Sequence, residues 1–570
     1  MRSAVLLLSI LLAACDGESI ELVLDSDFKL LRHDLKDPGR YEQALSLPPT
    51  WGRAGRWLPD ARPWQLLPTG TTRAPGQASE IRVQLVLDPA AGSLTGRAEL
   101  VLGSEDEDIA RVELLLSAAA IDELDAQAPD ASFEYRQGRL IISPTSPVPA
   151  GQSWPIAVEW HDQDIELYVD DFPEQGGRVL ANRLSAEGSF FSYGYWYWPV
   201  LIGQARFEGI EIEVTFPDSM TLVLPGELVG SQANADSTRS ERYRFDTPHQ
   251  GVIPLALGSY EQVAGACGDA VLELYALPGS SSDGYPIVPA TYVPILEAMC
   301  EDYRSRFGEP AFGVLRFAGV DEAFENGFAG PGLTLVPNYV WDDDGSGSFI
   351  KRDFYLAHEL SHTWWGNEVF VGASRDLWLL EGMADYCAAS CLTKLQGEQA
   401  GSWTWRWEVQ PLLEHYTAGG ADHPLVPDEA IDMEPRIYYI KGAWVLRMLG
   451  TIMGAEDLDR LLLEIQDAHA FDELETEQLT QRAAEIAAED LDWFFEQWLR
   501  GTGIISVREE HRGLDGDRLE CTVTQRAVWA TGPERYFQMP MDVKVEHQGR
   551  EHQETVWLEG VRAVFELPVP

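Results

Sequence analysis

Positive charge is what this chain has least of. Its 570 residues carry 42 lysines and arginines against 92 aspartates and glutamates, a formal net charge of −50. That excludes nucleic acid as a partner, because there is no basic surface to neutralise phosphates. It would also repel an anionic membrane surface, so any attachment must come from something other than charge. A solvated acidic surface, serving solubility or high salt, accounts for the excess. Long apolar runs are also missing. No stretch after the first few residues approaches the length of about 18 needed to cross a bilayer, so no transmembrane helix is expected. No internal repeat is visible. Cysteine is scarce, with six in the chain. An apolar content of 45% and 19 tryptophans exclude a disordered chain and leave a globular one, long enough for several domains.

The N-terminus begins Met1-Arg2, runs through an apolar stretch from Val5 to Leu12, and ends in Ala13-Ala14-Cys15. A short charged start, a brief apolar run and small residues make a secretory signal. Leu12-Ala13-Ala14-Cys15 resembles a bacterial lipobox, which implies cleavage before Cys15 and lipid on that cysteine. The expected address is the bacterial cell envelope, outside the cytoplasm, on its periplasmic or surface face. Five cysteines then remain: Cys267, Cys300, Cys387, Cys391 and Cys521. The odd count leaves at least one free thiol or an intermolecular partner, and a disulfide framework is not indicated. Cys387 and Cys391, one helical turn apart, are expected as core thiols.

The most informative local pattern is His358-Glu359-Leu360-Ser361-His362, with Glu381 at the nineteenth position after His362. Two histidines four positions apart on a helix differ by about 40° around its axis, so both imidazoles face one way. Two imidazoles and one carboxylate make a zinc set with an open fourth position, the catalytic arrangement. One Zn2+ per chain is expected. Glu359 lies between the histidines without being a ligand and is placed as a general base toward water. Apolar spacing at Phe354, Ala357, Leu360 and Trp364 predicts a buried helix from Phe354 to Trp365, stopped by Gly366-Asn367. Leu377 to Tyr386 reads as the start of a second helix carrying Glu381.

With Thr363-Trp364-Trp365-Gly366-Asn367 after the second histidine, this pattern resembles the M1 family of zinc metallopeptidases. The resemblance implies His358, His362 and Glu381 as zinc ligands and Glu359 as general base. Tyr439-Ile440-Lys441-Gly442 is similar to the family's Tyr-x-Lys-Gly helix, which implies that Tyr439 holds the tetrahedral intermediate as a hydrogen-bond donor. The family's Gly-x-Met-Glu-Asn loop, whose glutamate binds the substrate amine, has two alignments here. Matching Glu-Asn assigns Glu325 to the amine. Matching the later Pro331-Gly332-Leu333 puts Ala329 in that position instead. Leu380 stands where the family has asparagine, which removes a polar group beside the third ligand.

Along the chain, residues 1–15 read as the signal and lipobox and 16–78 as a tether with an extended arm. Alternation at Ile81, Val83, Leu85 and Leu87, and again at Ile210, Ile212 and Val214, predicts an all-β domain over 79–263. Within it, the aromatic run Tyr193 to Trp198 is a packed interdomain surface or a wall of a substrate cleft. Helical character begins near Tyr292 and continues to Arg500, a catalytic domain over 264–500. Asp342 to Ser348 is an acidic loop with a weak calcium-site composition. Residues 501–570 return to strands. The fold class is multidomain α+β. The resemblance implies an N-terminal saddle-shaped β domain, a thermolysin-like, mostly helical catalytic domain and a small C-terminal β-sandwich. The expected activity is zinc-dependent peptide hydrolysis, as an aminopeptidase outside the cytoplasm, with peptides as substrate and lipid as the membrane link. The alternatives are a zinc endopeptidase or other hydrolase that does not read a free N-terminus, and a non-catalytic binding protein on the same scaffold.

Overall fold

The computed structural model describes residues 76–570, except 117–120, 137, 164, 172–176, 193–196, 203–205, 283, 325–326, 343–349, 430, 432, 515–517, 529–535 and 548–549. Before residue 76 it describes only the strands Leu7–Leu11, Ile20–Leu24 and Leu30–His33. Cys15 and the remainder of the signal and tether segments lie outside the described residues. The chain divides into two compact units, one of residues 57–374 with 466–474, the other of residues 1–56, 375–465 and 475–570.

The first unit is built mainly from sheets. Gln77–Asp88 lies at the middle of a seven-stranded sheet, paired antiparallel with Ser93–Gly103 and parallel with Ile210–Pro217. The alternation read from the sequence is the pleat. Ile81, Val83, Leu85 and Leu87 are all buried, and so are Ile210, Ile212, Val214 and Phe216 on the neighbouring strand. Tyr197 and Trp198 are fully buried, with the Tyr197 hydroxyl donating to the Ile253 carbonyl at 2.6 Å, so this end of the aromatic run is core. Tyr193 to Trp196 lie outside the described residues.

A second, five-stranded sheet positions half of the site. Its order is Glu261–Cys267, Ala270–Ala276, Val314–Val320, Leu333–Pro337 and Phe328–Gly330, which makes the last strand an edge. Helix α1, Val293–Phe307, packs on it. A disulfide joins Cys267 at the end of the first strand to Cys300 of α1, with Cα atoms 5.3 Å apart. This corrects the expectation that no disulfide framework is present, while the odd count does leave thiols outside the bond. The pairing is set by a strand end meeting a helix 33 residues later, a contact that spacing along the chain does not reveal. Cys387, Cys391 and Cys521 remain buried thiols.

Helix α2, Ile350–Ser361, follows this sheet. It begins earlier and ends sooner than its apolar spacing predicts. The amides of Trp364 and Trp365 both turn back to the Ser361 carbonyl, and Gly366 takes a φ of +115° that closes the turn. Unwinding there lets both indoles bury against Phe307 of α1. The Tyr303 hydroxyl also donates to the Ala357 carbonyl at 2.9 Å, tying α1 to α2.

The second unit holds the helices α3 (Glu381–Gln396), α4 (Glu398–Thr417), α5 (Gly442–Met453), α6 (Ala455–Ala468, whose last residues fall in the first unit), α7 (Thr476–Ala487) and α8 (Asp492–Trp498). The strands Ile504–Leu514, Arg518–Val528 and Arg562–Pro568 pair in one C-terminal sheet, and Met539–His547 with Arg550–Leu558 in another. Among the described residues no helix is long and apolar enough to cross a membrane. Residues 343–349 of the acidic loop lie outside the described residues.

Candidate metal centre

Helix α2 carries His358 and Glu359, and His362 follows in the turn that ends it; the three are nearly buried at 5%, 3% and 8% exposure. The helical period stacks the two imidazoles one turn apart, with ring centroids at 4.8 Å and planes at 84°. The His362 Nδ1 lies 2.9 Å from the Trp365 carbonyl oxygen. A carbonyl only accepts, so Nδ1 carries the hydrogen and Nε2 of a neutral His362 is a lone pair. That lone pair faces the His358 Nε2 at 3.1 Å. The turn that unwinds the end of α2 therefore also fixes the tautomer of a candidate ligand.

Glu381 opens α3 and is buried. The segment before it is tied by hydrogen bonds to Thr476. The Asp376 carboxylate accepts from the Thr476 amide at 3.1 Å and hydroxyl at 2.6 Å, and the Trp378 indole N–H donates to the same hydroxyl at 2.9 Å. Leu380 is buried at 2% and adds no polar group beside the ligand.

Tyr439 lies in a π-turn, Ile437–Lys441, that runs directly into α5. Such turns concentrate at functional sites. Burial, with the Glu381 charge next, pushes its pKa well above the usual phenol range. Tyr439 is thus a neutral donor over the physiological range. Lys441, two positions on, donates to the Gly501 carbonyl at 3.0 Å and anchors the turn.

A glycine contact lets α3 approach this turn. A methyl on Gly382 would stand 2.8 Å from the Tyr438 carbonyl oxygen and 2.9 Å from the Gly442 Cα. Gly382 and Gly442 were not singled out from the sequence for this role. The signal was available only as two glycines next to chemically important residues.

The ligand atoms of His358, His362 and Glu381 all lie within 4.8 Å of one another. For two imidazole nitrogens on one tetrahedral zinc, bond lengths near 2.05 Å imply a separation of about 3.3 Å. The observed 3.1 Å fits that donor set. Two nitrogens and one carboxylate, all buried, are the ligand types of catalytic zinc and could hold a zinc ion.

The loop with two alignments resolves into a hairpin. Phe328–Gly330 pairs antiparallel with Leu333–Leu335, and Pro331-Gly332 forms the two-residue turn, with Gly332 at φ +77°. Ala329 therefore lies on the edge strand, separated from Pro331-Gly332-Leu333 by Gly330 alone. Glu325 lies outside the described residues.

The site brings together two histidines and a glutamate that could hold zinc. Residues 351–498 match the model of the Peptidase family M1 domain. Over 314 residues it is 25% identical to Tricorn protease-interacting factor F2 of Thermoplasma volcanium, covering 51% of this chain and 37% of that protein. Over 323 residues it is 28% identical to the leucyl aminopeptidase of Saccharolobus solfataricus, covering 53% and 39% respectively. The chain thus spans less than two fifths of the length of these relatives. In fold it is similar to an M1 zinc metallopeptidase from Deinococcus radiodurans, with a TM-score of 0.58 at 16% identity, covering 76% of this chain and 95% of that one.

Proposed function

We propose that this chain is a zinc-dependent peptidase acting as an aminopeptidase on peptides outside the cytoplasm. The observation that carries the reading is the buried His358, His362 and Glu381 set, with Glu359 on the same helix turn as its histidines. A zinc ion held there would supply Lewis acidity toward a peptide carbonyl and toward water. Glu359 takes the proton of the attacking water and delivers it to the departing amine. Tyr439, neutral and buried, donates a hydrogen bond to the oxyanion as it forms. Relatives named as aminopeptidases support a free N-terminus as the recognised end.

A second reading has one specific observation behind it. The hairpin puts Ala329 on the edge strand, separated from Pro331-Gly332 by Gly330 alone, where an amine-binding carboxylate is otherwise expected. If Glu325 does not replace it, hydrolysis proceeds without selecting a free amine. Free and N-acetylated peptides separate the two readings. A non-catalytic binding protein is the weaker reading, because the three ligands, Glu359 and Tyr439 are all retained.

We also propose lipid attachment at Cys15 and a place in the cell envelope. The Cys267–Cys300 disulfide supports an oxidising compartment. Labelling with a fatty-acid analogue should mark the full chain, and Cys15→Ser should remove the label and release the protein from membranes. An unlabelled, membrane-free wild type would contradict the lipid reading.

A further inference from the structure

We infer that Asn367 and Gly327 are positioning residues for Glu359, and that together they clamp the edge strand Phe328–Gly330 against helix α2. The inference rests on the hydrolase reading for its catalytic consequence. Its structural part stands by itself.

The clamp has two jaws. At one, the Asn367 side-chain amide donates to the His362 carbonyl at 2.9 Å and to the Ala329 carbonyl at 3.0 Å. One buried NH2 group therefore bridges the end of the helix that bears the histidines and the edge strand of the sheet. The hairpin register explains why this acceptor is available. Gly330 and Leu333 close the two-residue turn and must exchange hydrogen bonds. Ala329 and Thr334 are then the next, non-bonded pair, and the Ala329 carbonyl points out of the hairpin. Asn367 fills that direction with both of its hydrogens used on carbonyls and is only 8% exposed.

At the other jaw, Gly327 presents a bare Cα to the base. A methyl group there would overlap the Glu359 carboxylate, meeting Oε1 and Cδ first and Oε2 at 2.8 Å. Nothing in the backbone angle demands glycine at this position, since Gly327 is not among the residues with positive φ. The requirement is space for the carboxylate. Glu359 therefore rests on the backbone at the start of the strand, and Asn367 holds that strand at a fixed distance from the helix. A buried carboxylate with one long side-chain arm has several rotamers. Contact with a fixed wall selects one, which is the kind of pre-organisation a general base needs.

The test uses the full chain with zinc bound. Gly327→Ala should lower kcat about tenfold or more with KM changed less than about twofold and zinc content unchanged, because the base is displaced and the ligands are not. In a Glu359→Asp background the same Gly327→Ala change should have almost no effect, since the shorter arm vacates the space. Asn367→Ala should speed amide hydrogen exchange in peptides covering 327–336 while leaving the Gln77–Asp88 sheet unchanged. Three results overturn the inference: kcat within about twofold for Gly327→Ala, an equal penalty in both Glu359 backgrounds, or unchanged exchange in Asn367→Ala. If Gly327→Ala fails to fold, the Asn367→Ala exchange result decides. Exchange needs no substrate, so a wild type without hydrolysis overturns the peptidase reading separately and the clamp is still judged on exchange.

Discussion

The Nε2 atoms of His358 and His362 face each other at 3.1 Å, and the His362 Nδ1 is already committed to the Trp365 carbonyl. Two imidazole lone pairs at that distance repel unless a proton or a cation lies between them. The Glu381 ligand atom, within 4.8 Å of both histidine nitrogens, completes a donor set that a cation would satisfy.

Zinc removal should therefore abolish hydrolysis and lower thermal stability together. At free zinc one hundred times the dissociation constant, the bound ion contributes about 2.7 kcal/mol to folding. Calorimetry with and without a chelator reads the shift, and His362→Ala should lose both the shift and the activity. A chelated protein with an unchanged melting temperature would contradict this.

Tyr439→Phe removes one oxyanion donor without touching a ligand. Removing such a donor lowers kcat by about 10²–10³. Zinc stoichiometry should stay at the wild-type value. A variant with wild-type kcat would reduce Tyr439 to a packing residue, the alternative use of a buried tyrosine.

Two groups whose pKa is shifted by burial set opposite limits on stability with pH. His249 is fully buried between Phe207 and Phe245, accepts the Gly251 amide on Nδ1, and burial pushes its pKa down to about 3. Its folded pKa is below its unfolded one, so its contribution is complete above about pH 6.5 and is lost as pH falls toward the folded value. Glu368 is raised to about 7, first by burial and also by the charge of Asp467. Its contribution is present below the unfolded carboxylate pKa and is lost as pH rises through 7. Urea midpoints measured across pH should lose their acid slope in His249→Phe and their near-neutral slope in Glu368→Gln. Unchanged slopes would show that neither group titrates differently on folding.

The Cys267–Cys300 bond closes a loop with a sequence separation of 33. A loop of that length is stabilised by roughly 3–4 kcal/mol on chain entropy. Reduction should lower the denaturant midpoint accordingly, and the double Cys→Ser variant should become insensitive to reductant. Equal midpoints in oxidised and reduced wild type would place the thiols apart in solution.

The parts legible in the sequence are those governed by a short period. Ile81, Val83, Leu85 and Leu87 announced their strand by alternation, and His358 and His362 their shared face by the helical repeat. What the sequence concealed depends on elements meeting across long separations. Cys267 finds Cys300 because a strand end meets helix α1. Trp364 and Trp365 end the helix read from the sequence, yet lie beyond the end of α2 and pack against Phe307. Asn367 reads along the chain as a helix stop, and only the hairpin shows what its amide holds.

The most direct measurement follows the products of peptide cleavage by mass spectrometry. The full chain and its Glu359→Gln variant would each be incubated with a mixed library of free and N-acetylated peptides. The account predicts loss of single N-terminal residues from free peptides, none from acetylated ones, and no cleavage by the variant. Internal cleavage of both sets would keep the hydrolase and remove the aminopeptidase. With zinc bound, cleavage that does not depend on Glu359 would contradict the central claim.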